Sequence, residues 1–181
     1  MHGNEAPSLW IQRWAHLIAP ASRVLDLACG AGRHMQLLHK LGHQPLGVDR
    51  SDEALAAAGA WGETLQADIE NAPWPLDKQQ FGAVIVTHYL WRPLWPRIMD
   101  SIQSGGVLLY ETFAQGHETV GRPSRPDFLL APGELLQVTL EAGLRVIAYE
   151  DGFLTDPERF VQRIAAVRET ATPTPARRAL F

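Results

Sequence analysis

Cysteine is almost absent from this sequence of 181 residues, since Cys29 is the only one. A single cysteine excludes an internal disulfide and any zinc site built from several cysteines. Lysine is nearly as scarce: 14 of the 16 cationic residues are arginine, whose planar guanidinium suits the recognition of carboxylates and phosphates. The net charge of −4 gives no general attraction for nucleic acid, so DNA and RNA are not expected partners.

Long apolar runs are also missing. No run approaches the roughly 20 residues that a membrane span needs, and the first ten residues lack the basic and apolar regions of a signal peptide. The seven histidines show no HExxH-like spacing, so no metal site is predicted. We therefore expect a soluble, cytoplasmic monomer or homodimer without a membrane partner. Its single domain would cover residues 1–169, and residues 170–181 would form a flexible tail.

Short apolar segments alternate with helical patterns along the whole chain. Predicted strands cover residues 23–28, 45–48, 64–67, 83–87, 107–111, 144–150 and 159–167. Predicted helices cover residues 8–18, with Ser8 as N-cap, then 33–41, 52–60, a segment closed by Gly105 and Gly106, and 132–142. The pattern predicts an α/β fold of the Rossmann-like, doubly wound type: a mainly parallel seven-stranded sheet with helices on both faces, closed by a C-terminal antiparallel strand. Such sheets bind ligands beyond the carboxyl ends of their strands.

The first predicted strand runs into a glycine-rich turn in the segment VLDLACGAGRH, residues 24–34. Gly30 and Gly32 match the first two glycines of the dinucleotide fingerprint GxGxxG, but Met35 occupies the third position. That third glycine lets the following helix pack closely on the strand, and methionine would obstruct the packing. A nicotinamide-dependent oxidoreductase is therefore disfavoured but stays open as an alternative.

Two acidic residues follow the next two predicted strands. Asp49 ends the second strand, and Asp68 directly follows the third. A carboxylate at Asp49 can accept hydrogen bonds from both hydroxyls of a ribose, and one at Asp68 can accept from an exocyclic amine such as that of adenine. Together with the glycine turn, these acids predict a site for an adenosine that needs no phosphate-binding loop.

Four segments taken together resemble the motif series of the class I S-adenosylmethionine-dependent methyltransferases. They are VLDLACGAGRH, LGVDRS, LQADIE and FGAVIVTHYL, and their order and spacing agree over residues 23–113. The later segments AGLRVIAYEDG and RFVQRIAAVR resemble the closing antiparallel strands of that fold. Within the superfamily, the chain is most similar to small bacterial methyltransferases of the tellurite-resistance type. The resemblance implies S-adenosyl-L-methionine as the cofactor and methyl transfer as the activity.

The resemblance also implies which residues meet the cofactor. The glycine turn would approach the methionyl part of the cofactor, and Asp26 would organise the turn and the cofactor's amino group. Asp49, after the second strand, would hold the ribose. Asp68, after the third strand, would contact the adenine. The implied set is Asp26, Ala28, Cys29, Gly30, Gly32, Asp49, Arg50, Asp68, Ile69, Thr87 and His88. We interpret Cys29 as a small packing residue rather than a nucleophile.

Catalytic and substrate-binding candidates come from the ends of the fourth and fifth strands and from the long loop TFAQGHETVGRPSRPDF. His88 and Glu111 are the catalytic candidates, with a packed histidine and an ion pair to Arg122 or Arg125 as the alternatives; His117 is interpreted as solvated. Predicted substrate contacts are Trp14, Tyr89, Arg92, Arg122 and Arg125. In related folds an N-terminal helix closes over the cofactor, so residues 8–18 are a candidate lid, although Trp10 and Trp14 also fit a packed helix face.

The substrate is predicted to be a small molecule, polar or anionic, because paired arginines suit anions. The sequence THYLWRP stands where amino-group methyltransferases often carry Asn/Asp-Pro-Pro-Tyr, which argues against that substrate class. A protein that binds S-adenosylmethionine without catalysis and acts through a partner is the main alternative.

Overall fold

Seven strands form one sheet in the computed structural model, which describes residues 6–171 and 178–180. They are β1 (Arg23–Leu27), β2 (Gln44–Asp49), β3 (Glu63–Gln66), β4 (Phe81–Thr87), β5 (Ile102–Phe113), β6 (Arg145–Thr155) and β7 (Glu158–Val167). Most of the tail predicted to be flexible, residues 172–177 and 181, lies outside the described residues. The division into one domain and a tail stays a prediction.

The order of the strands across the sheet is β3-β2-β1-β4-β5-β7-β6. β1 to β5 are mutually parallel, whereas β7 runs antiparallel to both of its neighbours, β5 and β6. The chain order reverses direction beside β1, which lies between β2 and β4, and ligands bind at such a switch point in open sheets. The predicted fold class is confirmed, including the closing hairpin.

In the described part of the chain, five helices pack on this sheet: α1 (Leu9–Trp14), α2 (Arg33–Lys40), α3 (Asp52–Ala58), α4 (Trp95–Asp100) and α5 (Glu134–Glu141). Two details differ from the sequence prediction. The first helix is shorter than residues 8–18, because α1 gives way to a 3-10 turn over Ala15–Leu17. Gly105 and Gly106 lie inside β5 rather than at a helix end, since their backbone pairs with that of Arg168 beyond β7.

The hydrophobic core lies on both faces of the sheet because side chains of the central strands alternate between them. Val84 and Val86 of β4 face the cluster that includes residues of α4 and α5, whereas Ile85 faces the cluster built on α1. Trp10 contributes its buried ring to the second cluster and donates from Nε1 to the carbonyl oxygen of Ile164, at 3.1 Å. α1 is therefore fastened to the sheet. Among the described residues, no helix has the length and apolar character to cross a membrane.

The side chain of Met35 packs on the sheet without the obstruction that the sequence analysis predicted. It is fully buried, and its Sδ occupies the space directly over Gly47 of β2, where a Cβ would overlap it and lie 2.7 Å from Sγ of Cys29. In the GxGxxG fingerprint, the third glycine lets the helix pack closely on the strand. Here Gly47 of β2 provides this space instead, because it has no side chain where Met35 packs. The predicted obstruction by Met35 is absent, so Met35 alone does not argue against a dinucleotide.

Candidate functional site

A cavity of about 860 Å³ opens at the carboxyl ends of β1, β4 and β5. This volume falls within the usual range for small-molecule sites. The turn after β1, the ends of β4 and β5, the long loop, the β6–β7 turn and the segment before α1 all contribute to its wall. The lining residues are Ala6, Pro7, Ser8, Leu9, Ala28, Cys29, Gly30, Ala31, Arg33, Thr87, His88, Glu111, Phe113, His117, Val120, Gly121, Arg122, Asp156, Pro157, Glu158 and Arg159.

The two glycines of the turn have different surroundings. Gly30 has φ +54°, and a Cβ placed on it would meet no protein atom within 4 Å. Gly32 has φ +81°, and a Cβ there would lie 2.9 Å from Cα of Ala58 in α3. Gly30 therefore leaves open space at the cavity wall, whereas Gly32 allows the turn to pack closely on α3.

Cys29 has the environment of a packing residue. Its side chain is 7% exposed and packs with Met35, Leu55 and Ala58. Burial raises the pKa of the Cys29 thiol, and the nearby carboxyls of Asp26 and Asp49 raise it further. The nucleophilic form is a thiolate, which this environment disfavours.

Asp26 lies buried beneath the turn, near the end of β1. Burial raises the pKa of its carboxyl to about 7, with a smaller contribution from Asp49, and nearby Arg33 opposes the shift. Its Oδ2 has no hydrogen-bond partner among the described residues, although it is shielded from solvent. An unsatisfied buried carboxyl oxygen can accept from a cationic donor that reaches it, although Asp26 itself is not among the residues that line the cavity.

Asp49 connects β2 to the glycine turn. Its Oδ2 accepts from the amide of Gly30 at 2.8 Å, and its Oδ1 accepts from the amide of Ser51 at 2.9 Å. Each oxygen keeps a further lone pair for a ligand donor. The carboxylate therefore fixes the turn and can still accept hydrogen bonds at its open side.

Asp68 has the contacts of a residue that starts a loop. Its Oδ1 accepts from the amides of Glu70 and Asn71, both at 3.1 Å, and the hydrogen bonds of Asn71 and Glu70 lower the pKa of its exposed carboxyl. Ile69 beside it is buried, and Arg50 is exposed. The predicted adenine and ribose contacts Asp49, Arg50, Asp68 and Ile69 follow β2 and β3, outside the cavity wall described above. Their cofactor roles stay predictions.

His88 brings two arginines together on the cavity wall. Its Nδ1 lies 3.3 Å from Nη2 of Arg33, and its Nε2 lies 3.2 Å from Nη1 of Arg159. Guanidinium groups only donate, and a neutral imidazole has one acceptor nitrogen, so only one of these contacts is a hydrogen bond at a time. The sequence analysis predicted His88 but missed both arginines.

An aromatic column continues from His88 into the long loop. Phe113 stacks on the His88 ring at 4.9 Å between ring centroids and on the His117 ring at 4.3 Å. His117 is 4% exposed rather than solvated, and its Nε2 donates to the carbonyl oxygen of Arg122 at 3.0 Å. The column thus holds the loop so that Arg122, a predicted substrate contact, reaches the cavity.

Glu111 lies on the wall with both carboxylate oxygens engaged. Oε1 accepts from the hydroxyl of Ser8 at 3.0 Å, and Oε2 lies 3.4 Å from Nη1 of Arg163. The ion pair that the sequence suggested with Arg122 or Arg125 forms with Arg163 instead. These contacts give Glu111 the role of an anchor for the segment before α1; its catalytic role stays a prediction.

Two of the predicted substrate contacts belong to the core rather than to the cavity wall. Trp14 is 2% exposed and packs against Trp10, with 5.7 Å between ring centroids. Tyr89 is half-buried against the cluster on the α4 and α5 face, and its carbonyl oxygen accepts from the hydroxyl of Tyr110. For Trp14 the packed helix face, which the i, i+4 spacing also allowed, is the arrangement found.

Two further predicted substrate contacts, Arg92 and Arg125, form ion pairs within the chain. Arg92 donates from Nε and Nη2 to the carboxylate of Glu134, at 2.6 and 2.8 Å. This ion pair holds the segment after β4 against α5. Arg125 is exposed and forms an ion pair with Asp127 at 2.8 Å. Neither lines the cavity, so Arg122 is the one arginine of the predicted three that does.

Comparisons with known proteins agree with the fold. A family model described as a methyltransferase domain matches residues 24–105, whereas no curated protein matches the sequence. Among solved structures, TehB from Haemophilus influenzae superposes with a TM-score of 0.76 at 19% identity, over 93% of this chain and 64% of that one. The present chain thus spans less than two thirds of that protein.

Two further structures show the same fold. A TehB-like S-adenosylmethionine-dependent methyltransferase from Corynebacterium glutamicum superposes with a TM-score of 0.65 at 16% identity, over 88% of this chain and 87% of that one. The [4+2]-cyclase SpnF gives a TM-score of 0.68 at 15% identity, over 90% and 79% of the two chains. The strand order and these superpositions show that the chain has the fold of the S-adenosylmethionine-dependent methyltransferases, and its residues 24–105 match the methyltransferase domain model.

Proposed function

We propose that this chain binds S-adenosylmethionine and transfers its methyl group to a small anionic molecule. The observation that carries the substrate class is the approach of Arg33 and Arg159 to one imidazole, His88, on the wall of a cavity that begins at the glycine turn. Two guanidinium groups that converge in a concave site favour a carboxylate, phosphate or similar oxyanion.

The residues around the turn fit the cofactor. The open space at Gly30 would accept its methionyl chain, the unsatisfied oxygen of Asp26 would accept from its ammonium group, and Asp49 would accept from its ribose hydroxyls. When bound, the cofactor supplies a methyl group on a positively charged sulfur, which is open to in-line displacement by a lone pair.

The chain's own contribution would be to orient the acceptor and to exclude water. Arg33 and Arg159 would hold the anion beside the turn, and Arg122 would close the outer side from the loop. Phe113, which lines the cavity and stacks between His88 and His117, adds an apolar ring that would reduce the hydration of the bound acceptor. An acceptor that reacts as an anion has no proton to lose, so this arrangement needs no general base.

The proposal is tested by binding and turnover together. Calorimetry with S-adenosylhomocysteine tests the cofactor, and transfer from methyl-labelled S-adenosylmethionine tests a panel of small carboxylates and phosphates against their amides and esters. We expect S-adenosylhomocysteine to bind and the anionic acceptors to react faster than their neutral counterparts. Preference for the neutral compounds would overturn the anionic assignment.

The alternative function is a protein that binds S-adenosylmethionine without transferring its methyl group. SpnF shares the fold and is described as a [4+2]-cyclase, so the fold by itself does not fix the reaction. Binding of S-adenosylhomocysteine without any methylated product, even with a complete small-molecule extract of cells, would favour that alternative.

Arg159→Gln is expected to raise the KM for an anionic acceptor by about tenfold or more, since a hydrogen bond to a charged group contributes about 1.5–3 kcal/mol. The dissociation constant for S-adenosylhomocysteine should change little, because Arg159, near the start of β7, contacts His88 on the cavity wall rather than the glycine turn itself. Arg125→Gln provides the control, as it removes the same charge from an exposed residue off the cavity wall. Equal effects of the two variants would contradict the assignment.

The pKa of Asp26 predicts a pH dependence of cofactor binding. Its pKa of about 7 in the folded protein exceeds the ordinary aspartate value of 3.8, so ionisation of Asp26 does not destabilise the fold below pH 4 and destabilises it increasingly as the pH rises towards 7. A bound ammonium group favours the ionised carboxylate, so binding must release a proton below pH 7. We expect the affinity for S-adenosylhomocysteine to increase several-fold between pH 6 and 7.5.

Calorimetry in two buffers of different ionisation enthalpy measures this proton release directly. The Asp26→Asn variant should bind more weakly and show neither the release nor the pH dependence. A wild-type affinity that is constant over this range would contradict the placement of the ammonium group at Asp26.

A further inference from the structure

The segment before α1 is held to the cavity wall at one residue, Ser8. Its amide donates to Nε2 of His34 at 3.2 Å, and its hydroxyl donates to Glu111 at 3.0 Å. The same hydroxyl oxygen accepts from the amide of Trp10 at 3.1 Å, which makes Ser8 the predicted N-cap of α1. Ser8 is 8% exposed, whereas its neighbour Leu9 is 77% exposed. The wall formed by residues 6–9 therefore depends on contacts made at Ser8.

His34 links this anchor to the end of β4. It lies in α2 with 1% of its surface exposed, and burial lowers its pKa to about 3, so the ring is neutral near pH 7. A backbone amide can only donate, which means that Nε2 is the acceptor nitrogen and that Nδ1 carries the proton. Nδ1 lies 3.5 Å from Oγ1 of Thr87. Oγ1 of Thr87 therefore accepts this hydrogen bond from Nδ1 of His34.

Thr87 lines the cavity, so the direction of its hydrogen bond matters there. When Oγ1 accepts from His34, the hydroxyl proton is available to a ligand. Without the Ser8 amide, the His34 proton can move to Nε2, and the Thr87 hydroxyl would then donate to Nδ1 and show the cavity only lone pairs. We infer that Ser8 and His34 are positioning residues: docking of residues 6–9 sets the tautomer of His34, and this tautomer aims the Thr87 hydroxyl proton at the bound ligand.

The inference has a functional consequence. Ligand binding and the docking of residues 6–9 favour the same set of hydrogen bonds. Each of the two events therefore stabilises the other. The site would be fully formed only when residues 6–9 are in place. This coupling rests on the proposed function for the identity of its ligand, whereas the tautomer of His34 is a property of the free protein.

Two substitutions of Ser8 separate its amide from its hydroxyl. Ser8→Ala keeps the amide, and Ser8→Pro removes it; the φ of −52° at this position is close to the angle that proline imposes. Nitrogen NMR of histidine-labelled protein reports the tautomer without any ligand. We expect the Nδ1-protonated form in the wild type and in Ser8→Ala, and its loss or mixing in Ser8→Pro. The Nδ1-protonated form persisting unchanged in a folded Ser8→Pro variant would overturn the inference.

Thr87 variants connect the tautomer to binding. Ser8→Pro should bind S-adenosylhomocysteine roughly two- to tenfold more weakly than Ser8→Ala, as expected for one net hydrogen bond. Thr87→Val should lose a similar factor, and Thr87→Ser, which restores the hydroxyl, should recover it. In the Thr87→Val background the difference between the two Ser8 variants should vanish; additive losses would overturn the coupling. A wild type that does not bind S-adenosylhomocysteine would count against the proposed function, while the NMR result still decides the tautomer.

Discussion

Asp49→Asn is expected to weaken the binding of S-adenosylhomocysteine by about 1.5–3 kcal/mol, which corresponds to roughly 10- to 150-fold. Both carboxylate oxygens already accept from backbone amides, those of Gly30 and Ser51. An asparagine offers only one acceptor oxygen, so its NH₂ group would face one of these two donors. The variant would therefore lose an acceptor for the ribose and distort the turn that holds the methionyl end.

Asp52→Asn is the matched control, because it removes the same charge from the first turn of α3, only three residues away. Calorimetry should show a large loss of affinity for Asp49→Asn and little change for Asp52→Asn. Thermal unfolding identifies any part of the effect that comes from lower stability. A folded Asp49→Asn variant with wild-type affinity would place the ribose elsewhere.

The predictions that succeeded depend on short-range patterns. The strand that ends at Asp49 and the glycine turn were both predicted, because alternation of apolar strands and helices repeats locally along the chain. The carboxyl ends of parallel strands then meet at one edge, which brings Asp26, Asp49 and Thr87 to the same side of the sheet. For this reason the side of the fold that carries the site could be located from the sequence.

The arginine pair at His88 could not be predicted in the same way. Arg33 is 55 residues from His88 along the chain and Arg159 is 71 residues away, so no local pattern relates them. The last hairpin also extends further than predicted, with β6 running to Thr155 rather than to residue 150. That extension brings its turn, and Arg159 with it, to the cavity.

The intramolecular partners of several candidate residues could not be predicted from the sequence. Arg92 follows the fourth strand and Arg125 belongs to the polar loop; both were predicted to bind an anion, and in the structure each pairs with an acidic residue of the chain, Glu134 and Asp127 respectively. Glu111 ends the fifth predicted strand, yet its partner Ser8 lies 103 residues earlier. Which ion pairs a charged side chain forms depends on tertiary contacts that sequence spacing does not encode.

Gly30→Ala is expected to abolish detectable binding of S-adenosylhomocysteine while the protein remains folded. With φ at +54°, an alanine there is strained by about 1–2 kcal/mol. The space around its Cβ is free of protein atoms, and Gly30 lines the cavity, so the methyl group would fill part of the place proposed for the methionyl chain. The effect on binding should therefore far exceed the effect on stability.

Two other glycines separate the contributions of the backbone and of the added atom. Gly42→Ala has the same kind of strain, at φ +84°, with open space around it and no place on the cavity wall. Gly32→Ala adds a contact of 2.9 Å to the backbone of Ala58. Chemical denaturation should show similar losses of unfolding free energy for Gly30→Ala and Gly42→Ala and a larger loss for Gly32→Ala. Calorimetry should show that Gly42→Ala binds S-adenosylhomocysteine as the wild type does, because only at Gly30 does the added methyl group compete with the ligand. Equal binding by Gly30→Ala and Gly42→Ala would contradict the placement of the methionyl chain at Gly30.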